Sequence, residues 1–245
     1  MFQRMALKTL KRVIFSFQTN CNQNKMKEIE GLQIYIVSHR RSGTHLTMTT
    51  LANNFENIEV IKQEDHPACD EVSMGCERLE KLLNSGKVVH AYRDVRDVLV
   101  SVYYYQEHIR KKFNKPPSNQ TFSDFLVEKN WHPSPPYRKM SRIEYWRHHY
   151  ESWMAIPNII HINFEDSISN PEETLQNLQK YLQIPLRADR KPPKEWDKGR
   201  TVFFRKGKAG DWVNHFSEAD ERWVEQELTK PFEFKPLRCS FLEQL

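Results

Sequence analysis

Glycine, cysteine and long apolar runs are all scarce in this chain. Its 245 residues hold seven glycines, at 31, 43, 75, 86, 199, 207 and 210. None falls in the G-x-x-x-x-G-K-[ST] order, and no Lys-Ser or Lys-Thr follows Gly43, which excludes an ordinary ATP or GTP phosphate loop. The four cysteines, at 21, 69, 76 and 239, follow no framework spacing, so reduced thiols in a reducing, cytoplasmic compartment are expected. Neither C-x-x-C nor H-x-x-x-H occurs, so no metal is expected. Mean hydropathy is −0.76. No apolar run approaches the ~20 residues of a membrane span, so no membrane partner is expected either.

What is present is charge and aromatic surface. Charged residues are 28% and aromatics 12%, which argues against disorder. The length suits one large α/β domain. Net charge is +5, so an anionic partner is expected. Nucleic acid is one such partner, but no nucleic-acid-binding motif occurs, and the basic residues gather in a few loops instead.

The first such loop follows Ile34-Tyr-Ile-Val37. This β-branched run leads into Arg40-Arg41-Ser42-Gly43-Thr44, and a helix start comes next. A strand, a loop and a helix in this order make a seat for an anion. Gly43 lets the backbone turn and approach closely. Successive N–H groups at the helix start point at the ligand, and the guanidinium groups neutralise it. Alone, Ser-Gly-Thr after a strand also fits a plain turn with Thr44 as helix cap.

Two further segments agree with the anion reading. Val88 to Tyr92 reads as a strand, then Arg93 opens a charged turn and a helix that carries Ser101 about two turns on. An arginine fork plus a hydroxyl suits a phosphate. A salt-bridged helix start, with Asp94 and Asp97 paired to Arg93 and Arg96, explains the same residues. The third segment is Phe203-Phe204-Arg205-Lys206-Gly207-Lys208-Ala209-Gly210-Asp211-Trp212. Its cations and glycines, flanked by aromatics, suit a loop wrapped on an anion beside a planar ring.

Together these segments closely resemble the cytosolic-type sulfotransferase family, which uses 3′-phosphoadenosine 5′-phosphosulfate (PAPS). The family's Y-P-K-S-G-T-x-W is matched by His39 to Leu46. Its R-x-x-x-D-x-x-V-S-x-Y is matched from Arg93 to Tyr103, and its R-K-G-x-x-G-D-W runs unbroken from Arg205 to Trp212. A fourth echo is Phe164-Glu165-Asp166 followed by Asn170-Pro171. The resemblance covers roughly residues 33–225 and keeps the family's order.

The resemblance implies an α/β fold with a central parallel sheet flanked by helices, and a P-loop-like strand–loop–helix. It implies that Arg41, Ser42, Gly43, Thr44 and His45 cradle the 5′-phosphosulfate. Arg93 and Ser101 would hold the 3′-phosphate with Arg205, Lys206 and Gly207. Phe164, Phe203 and Leu46 would line the adenine pocket. Arg41 stands where the family has a catalytic lysine, and Leu46 where it has a stacking tryptophan. The family's K-[ST]-H-x-P appears as Lys62-Gln63-Glu64-Asp65-His66-Pro67, with the histidine two residues late. Lys62 and His66 are thereby assigned to catalysis, with Glu64 or Asp65 as the alternative base. No metal is used.

The implied reaction moves a sulfuryl group to a hydroxyl or amine of a small molecule. Glu64, Asp65, Asp70 and Glu71 would favour a cationic acceptor such as an alkaloid, although a solvated acidic loop is the simpler explanation of them. The family's dimer pattern after Asp-Trp is largely absent, so that dimer is not implied. Two other readings remain: a nucleotide-dependent phosphotransferase, and a non-catalytic adenosine-bisphosphate binder. Residues 1–30, with six Lys/Arg, read as a basic extension preceding a sulfotransferase domain over 31–245. Strands are expected near 34–38, 88–92 and 159–164, with helices over 143–156 and 173–182. Trp131 to Tyr137 reads as a loop, either a lid or an ordinary connection.

Overall fold

A computed structural model describes residues 31–62, 71–132, 137–190, 207–231 and 239–244, with 71–76 and 243–244 described by backbone alone. Strands β1 (Leu32–Ser38), β2 (Ile58–Lys62), β3 (Lys87–Tyr92) and β4 (Ile160–Asn163) form one sheet in the order β2-β1-β3-β4. Every adjacent pair is parallel. Parallel neighbours need crossover connections, and helices supply them. Helix α1 (Thr44–Asn54) links β1 to β2, and α2 (Glu71–Ser85) stands between β2 and β3. Helices α3 (Val95–Lys112), α4 (Phe122–Val127) and α5 (Arg142–Met154) stand between β3 and β4. Then come α6 (Phe164–Ser169), α7 (Pro171–Leu182) and α8 (Glu218–Thr229).

The period-two alternation of β1 decides how both faces are covered. Ile34 and Ile36 point to one face, where they meet Leu51 of α1 and Leu175, Leu178 and Leu182 of α7. Tyr35 and Val37 point to the other, against Leu79 and Leu82 of α2 and Trp153 of α5. Each fully buried aliphatic side chain stabilises the fold by about 1.5–3 kcal/mol. A separate cluster joins α3, α4, α5 and α8 through Val95, Leu99, Phe125, Ile143 and Val224. The loops at the carboxyl ends of β1, β3 and β4 are thus held on a rigid frame.

Three features differ from expectation. Phe164 does not end a strand but begins α6, because the Asn163 side chain accepts the Asp166 N–H at 2.9 Å and caps a helix there. Strand β2 was not anticipated; it lies at the sheet edge and no residue in it is fully buried, so its apolar pattern is weak. Cys239 is buried and disulfide-bonded rather than reduced, with its partner outside the described side chains. Around the proline-rich stretch, Trp131 donates its indole N–H to the Met140 carbonyl at 3.0 Å, and Tyr137 is buried against Tyr145. The described part of that stretch is a packed connection.

Candidate anion-binding site at the carboxyl end of the sheet

The turn between β1 and α1 is closed by the Ser42 N–H donating to the His39 carbonyl at 3.2 Å. Arg41 and Gly43 both lie in the left-handed region, at φ 68° and 95°. A Cβ on Gly43 would sit 2.7 Å from Cδ2 of Phe164, so the conformation and the ring both demand glycine. Gly43 is also the N-cap of α1. No side chain caps this helix, and its first turn holds no acid. By contrast α3, α4, α5, α6 and α8 are capped by Asp94, Thr121, Ser141, Asn163 and Ser217. An uncapped helix start leaves N–H donors and about half a positive charge facing outward. The Thr44 hydroxyl, expected at this seat, pairs with Ser38.

Ser42 gives the direct test of fit. It is 1% exposed, and its hydroxyl has no hydrogen-bond partner among the described residues. Leaving a buried hydroxyl unpaired costs about 1–3 kcal/mol. A phosphate or sulfate oxygen seated on the helix start would supply the acceptor. The residues present therefore fit the anionic end of a phosphorylated or sulfated ligand.

The second segment closes on the first. Arg93 directly follows β3, with its guanidinium 4.1 Å from the centre of the Phe164 ring. Its Nη2 donates to the Lys208 carbonyl at 2.8 Å and pairs with Asp97 at 3.2 Å. Arg96 pairs with Asp94, so the salt-bridged helix start read from the sequence is present as well. Ser101, also buried, accepts the Nε–H of Arg41 at 2.9 Å. The Arg41 guanidinium carbon lies 5.0 Å from the centre of the Tyr105 ring. Burial pushes the carboxyl of Glu165, 3.7 Å from Arg93, upward.

Contacts therefore join Arg41 to Ser101 and join Gly43, Phe164 and Arg93; Ser42 lies between Arg41 and Gly43 in the turn, and Gly207 adjoins the residue whose carbonyl Arg93 grips. Lys62 is the exposed last residue of β2. His45 is half-buried, and its pKa is lowered by burial first and then by the charges of Lys62 and Arg41. The parallel register of β1 and β2, which pairs Ile36 with Lys62, places Lys62 near the same end of the sheet. Leu46 is buried in α1. His66, Glu64, Asp65, Phe203, Arg205 and Lys206 lie outside the described residues. The sequence reading missed Tyr105 beneath Arg41. It also missed the hold of Asp97 on the third segment, which no spacing in the sequence reports.

A family model described as a sulfotransferase domain matches residues 32–230. The chain belongs to the sulfotransferase domain family. Sulfotransferase 6B1 of Danio rerio is 24% identical over 158 residues, which cover 57% of this chain and 50% of that one. Sulfotransferase 1 family member D1 of Mus musculus is 25% identical over 183 residues, covering 63% and 58%. The chain thus spans about half the length of the curated sulfotransferases it matches. A crystal structure of mouse sulfotransferase SULT7A1 complexed with PAP superposes with a TM-score of 0.55 at 16% identity, covering 83% of this chain and 84% of that one. That likeness concerns the fold: a central parallel sheet flanked by helices. Among the described residues of this sulfotransferase-family chain, no group of three or more His, Cys, Asp or Glu could hold a metal ion. No described helix is long and apolar enough to cross a membrane.

Proposed function

We propose that the chain transfers a sulfuryl group from PAPS to a hydroxyl or amine of a small-molecule acceptor. The observation that carries this reading is the uncapped start of α1, with its buried, unpartnered Ser42 hydroxyl, facing Phe164 and Arg93 across Gly43. The family membership and the PAP-bound fold relative support it.

PAPS supplies an activated sulfuryl group on a phosphate leaving group. The chain's own residues bind it, orient it and neutralise developing charge. Ser42, Gly43, Thr44 and His45 offer hydroxyl, N–H and imidazole groups at the helix start, and Arg41 adds a fork. Arg93 and Ser101, with Arg205, Lys206 and Gly207, take the 3′-phosphate. Phe164, Phe203 and Leu46 flank the adenine. His66, or else Glu64 or Asp65, removes the acceptor proton, an effect of about 10²–10⁴-fold. Lys62 keeps positive charge at the catalytic end. The acidic run near His66 supports a cationic acceptor such as an alkaloid. A cytoplasmic location belongs to this reading, and the disulfide at Cys239 is the observation against it.

Adenosine 3′,5′-bisphosphate (PAP) is expected to raise the melting temperature more than 5′-AMP does. At a hundredfold excess over its dissociation constant it adds about 2.7 kcal/mol. For a chain of this length that is a shift of roughly 5–10 °C. An equal shift with 5′-AMP would show that the roles given to Arg93 and Ser101 are wrong.

A further inference from the structure

We infer that Asp97 is a positioning residue that makes the site selective for nucleotides carrying a 3′-phosphate. Asp97 is 0% exposed and sits in the first turn of α3. Its Oδ2 accepts the Gly210 N–H at 2.7 Å, and its Oδ1 accepts the Trp212 N–H at 3.0 Å. Oδ2 also lies 3.2 Å from Nη2 of Arg93. One carboxylate therefore meets two backbone donors of the third segment and the arginine of the second.

The choice of groups it ties together carries the argument. A carboxylate buried this completely is costly unless it is paired and hydrogen-bonded. Here its partners belong to the second and third segments, which read in the sequence as anion-binding. Gly210 adopts φ 72°, and a Cβ there would meet nothing within 4 Å. The turn conformation, not crowding, therefore calls for glycine, and that turn aims the Gly210 N–H at Asp97. The same turn lets the Lys208 carbonyl accept from Arg93 at 2.8 Å. The Trp212 ring then lies 3.9 Å from the Arg96 guanidinium, which fixes the far end of the turn. Held by Asp97 and Lys208 at its edge and by Phe164 on its face, Arg93 has one orientation. Without the carboxylate, that orientation and the docking of the 207–212 loop are both released.

This inference rests on the PAPS reading, so its test measures two nucleotides in two proteins. Dissociation constants for PAP and 5′-AMP are determined by calorimetry for the wild type and for Asp97→Asn. The substitution keeps the shape but turns an NH2 group toward a backbone N–H. The preference for PAP over 5′-AMP is expected to fall about tenfold or more, as loss of a charge-assisted contact predicts. Binding of 5′-AMP itself is expected to change by less than about threefold. An unchanged preference, or equal weakening for both nucleotides, reduces Asp97 to a scaffold role and overturns the inference. A wild type that shows no preference sinks the PAPS reading, and this inference with it. Should Asp97→Asn not fold, Asp97→Glu, which keeps the charge but displaces it, is measured in its place. A preserved preference there is equally fatal.

Discussion

Stability is expected to fall steeply as the pH drops below 6.5, because a row of histidines is buried uncharged. His39, at the entry to the turn between β1 and α1, His90 of β3 and His149 of α5 are all buried. The His149 ring lies 5.7 Å from His39 and 5.4 Å from His90. His90 meets half-buried His161 of β4 through Nδ1 atoms 3.1 Å apart, so one ring donates and the other accepts. Burial is the main cause that lowers His39 to about 4, with the Arg40 charge adding to it and a bond to the Arg40 carbonyl opposing it. Burial likewise lowers His90 and His149 well below their ordinary value, and His161 less far.

The sign follows from these directions. Each folded-state pKa lies below the unfolded value near 6.5. Between the two, the unfolded chain binds more protons, so stability is fully present above 6.5 and is lost as the pH falls toward the folded pKa. His39 alone accounts for about 3 kcal/mol between pH 6.5 and 4. Native domains hold only about 5–15 kcal/mol in all. Paired carboxylates start to lose their own stabilisation below about pH 5, so the histidines dominate the window from 6.5 to 5, opposed there by Glu165, whose raised pKa favours the folded state as the pH falls. Urea midpoints measured across that window should fall, and a His149→Gln variant should show a shallower slope. Midpoints that stay level from pH 7 to 5 would contradict the account.

Arg93→Ala is expected to weaken PAP binding by about 2–4 kcal/mol, a loss of roughly 30- to 700-fold. The guanidinium is the buried cation that reaches the Lys208 carbonyl, Asp97 and the Phe164 face together. Its removal also takes from Asp97 its closest counter-charge, so some loss of stability accompanies the loss of binding. Arg93→Lys separates the two effects. It restores the charge beside Asp97, which should recover most stability, but it lacks the planar fork, so binding recovers only in part. A PAP dissociation constant unchanged in a folded Arg93→Ala protein would remove Arg93 from the site.

Strands β1 and β3 of the site's frame were legible because they are interior, whereas β4 was read although it is the other edge of the sheet. Ile34 and Ile36 in β1, and Val88 and Val89 in β3, had to be apolar to be buried, and their runs stand out against charged loops. Edge strand β2 has no such requirement and stayed hidden. The residues of the candidate anion seat stood out as types: a glycine for the turn, hydroxyls and arginines suited to a charge. Their mutual contacts were not. Asp97 meets Gly210 and Trp212 across more than a hundred residues of chain, and no spacing reports that. The histidine row has the same cause. His90 and His161 meet because the β3–β4 register sets them side by side, while ten histidines scattered through the sequence gave no hint which would converge.

The most direct test of the central claim is turnover. The protein is incubated with PAPS, a chelator and a panel of hydroxyl and amine acceptors that includes cationic metabolites, and the products are read by mass spectrometry. The account predicts a sulfated acceptor and PAP released in equal amounts, undiminished by the chelator. PAP that binds while no acceptor in the panel is sulfated, or ATP that supports phosphoryl transfer in place of PAPS, would contradict it.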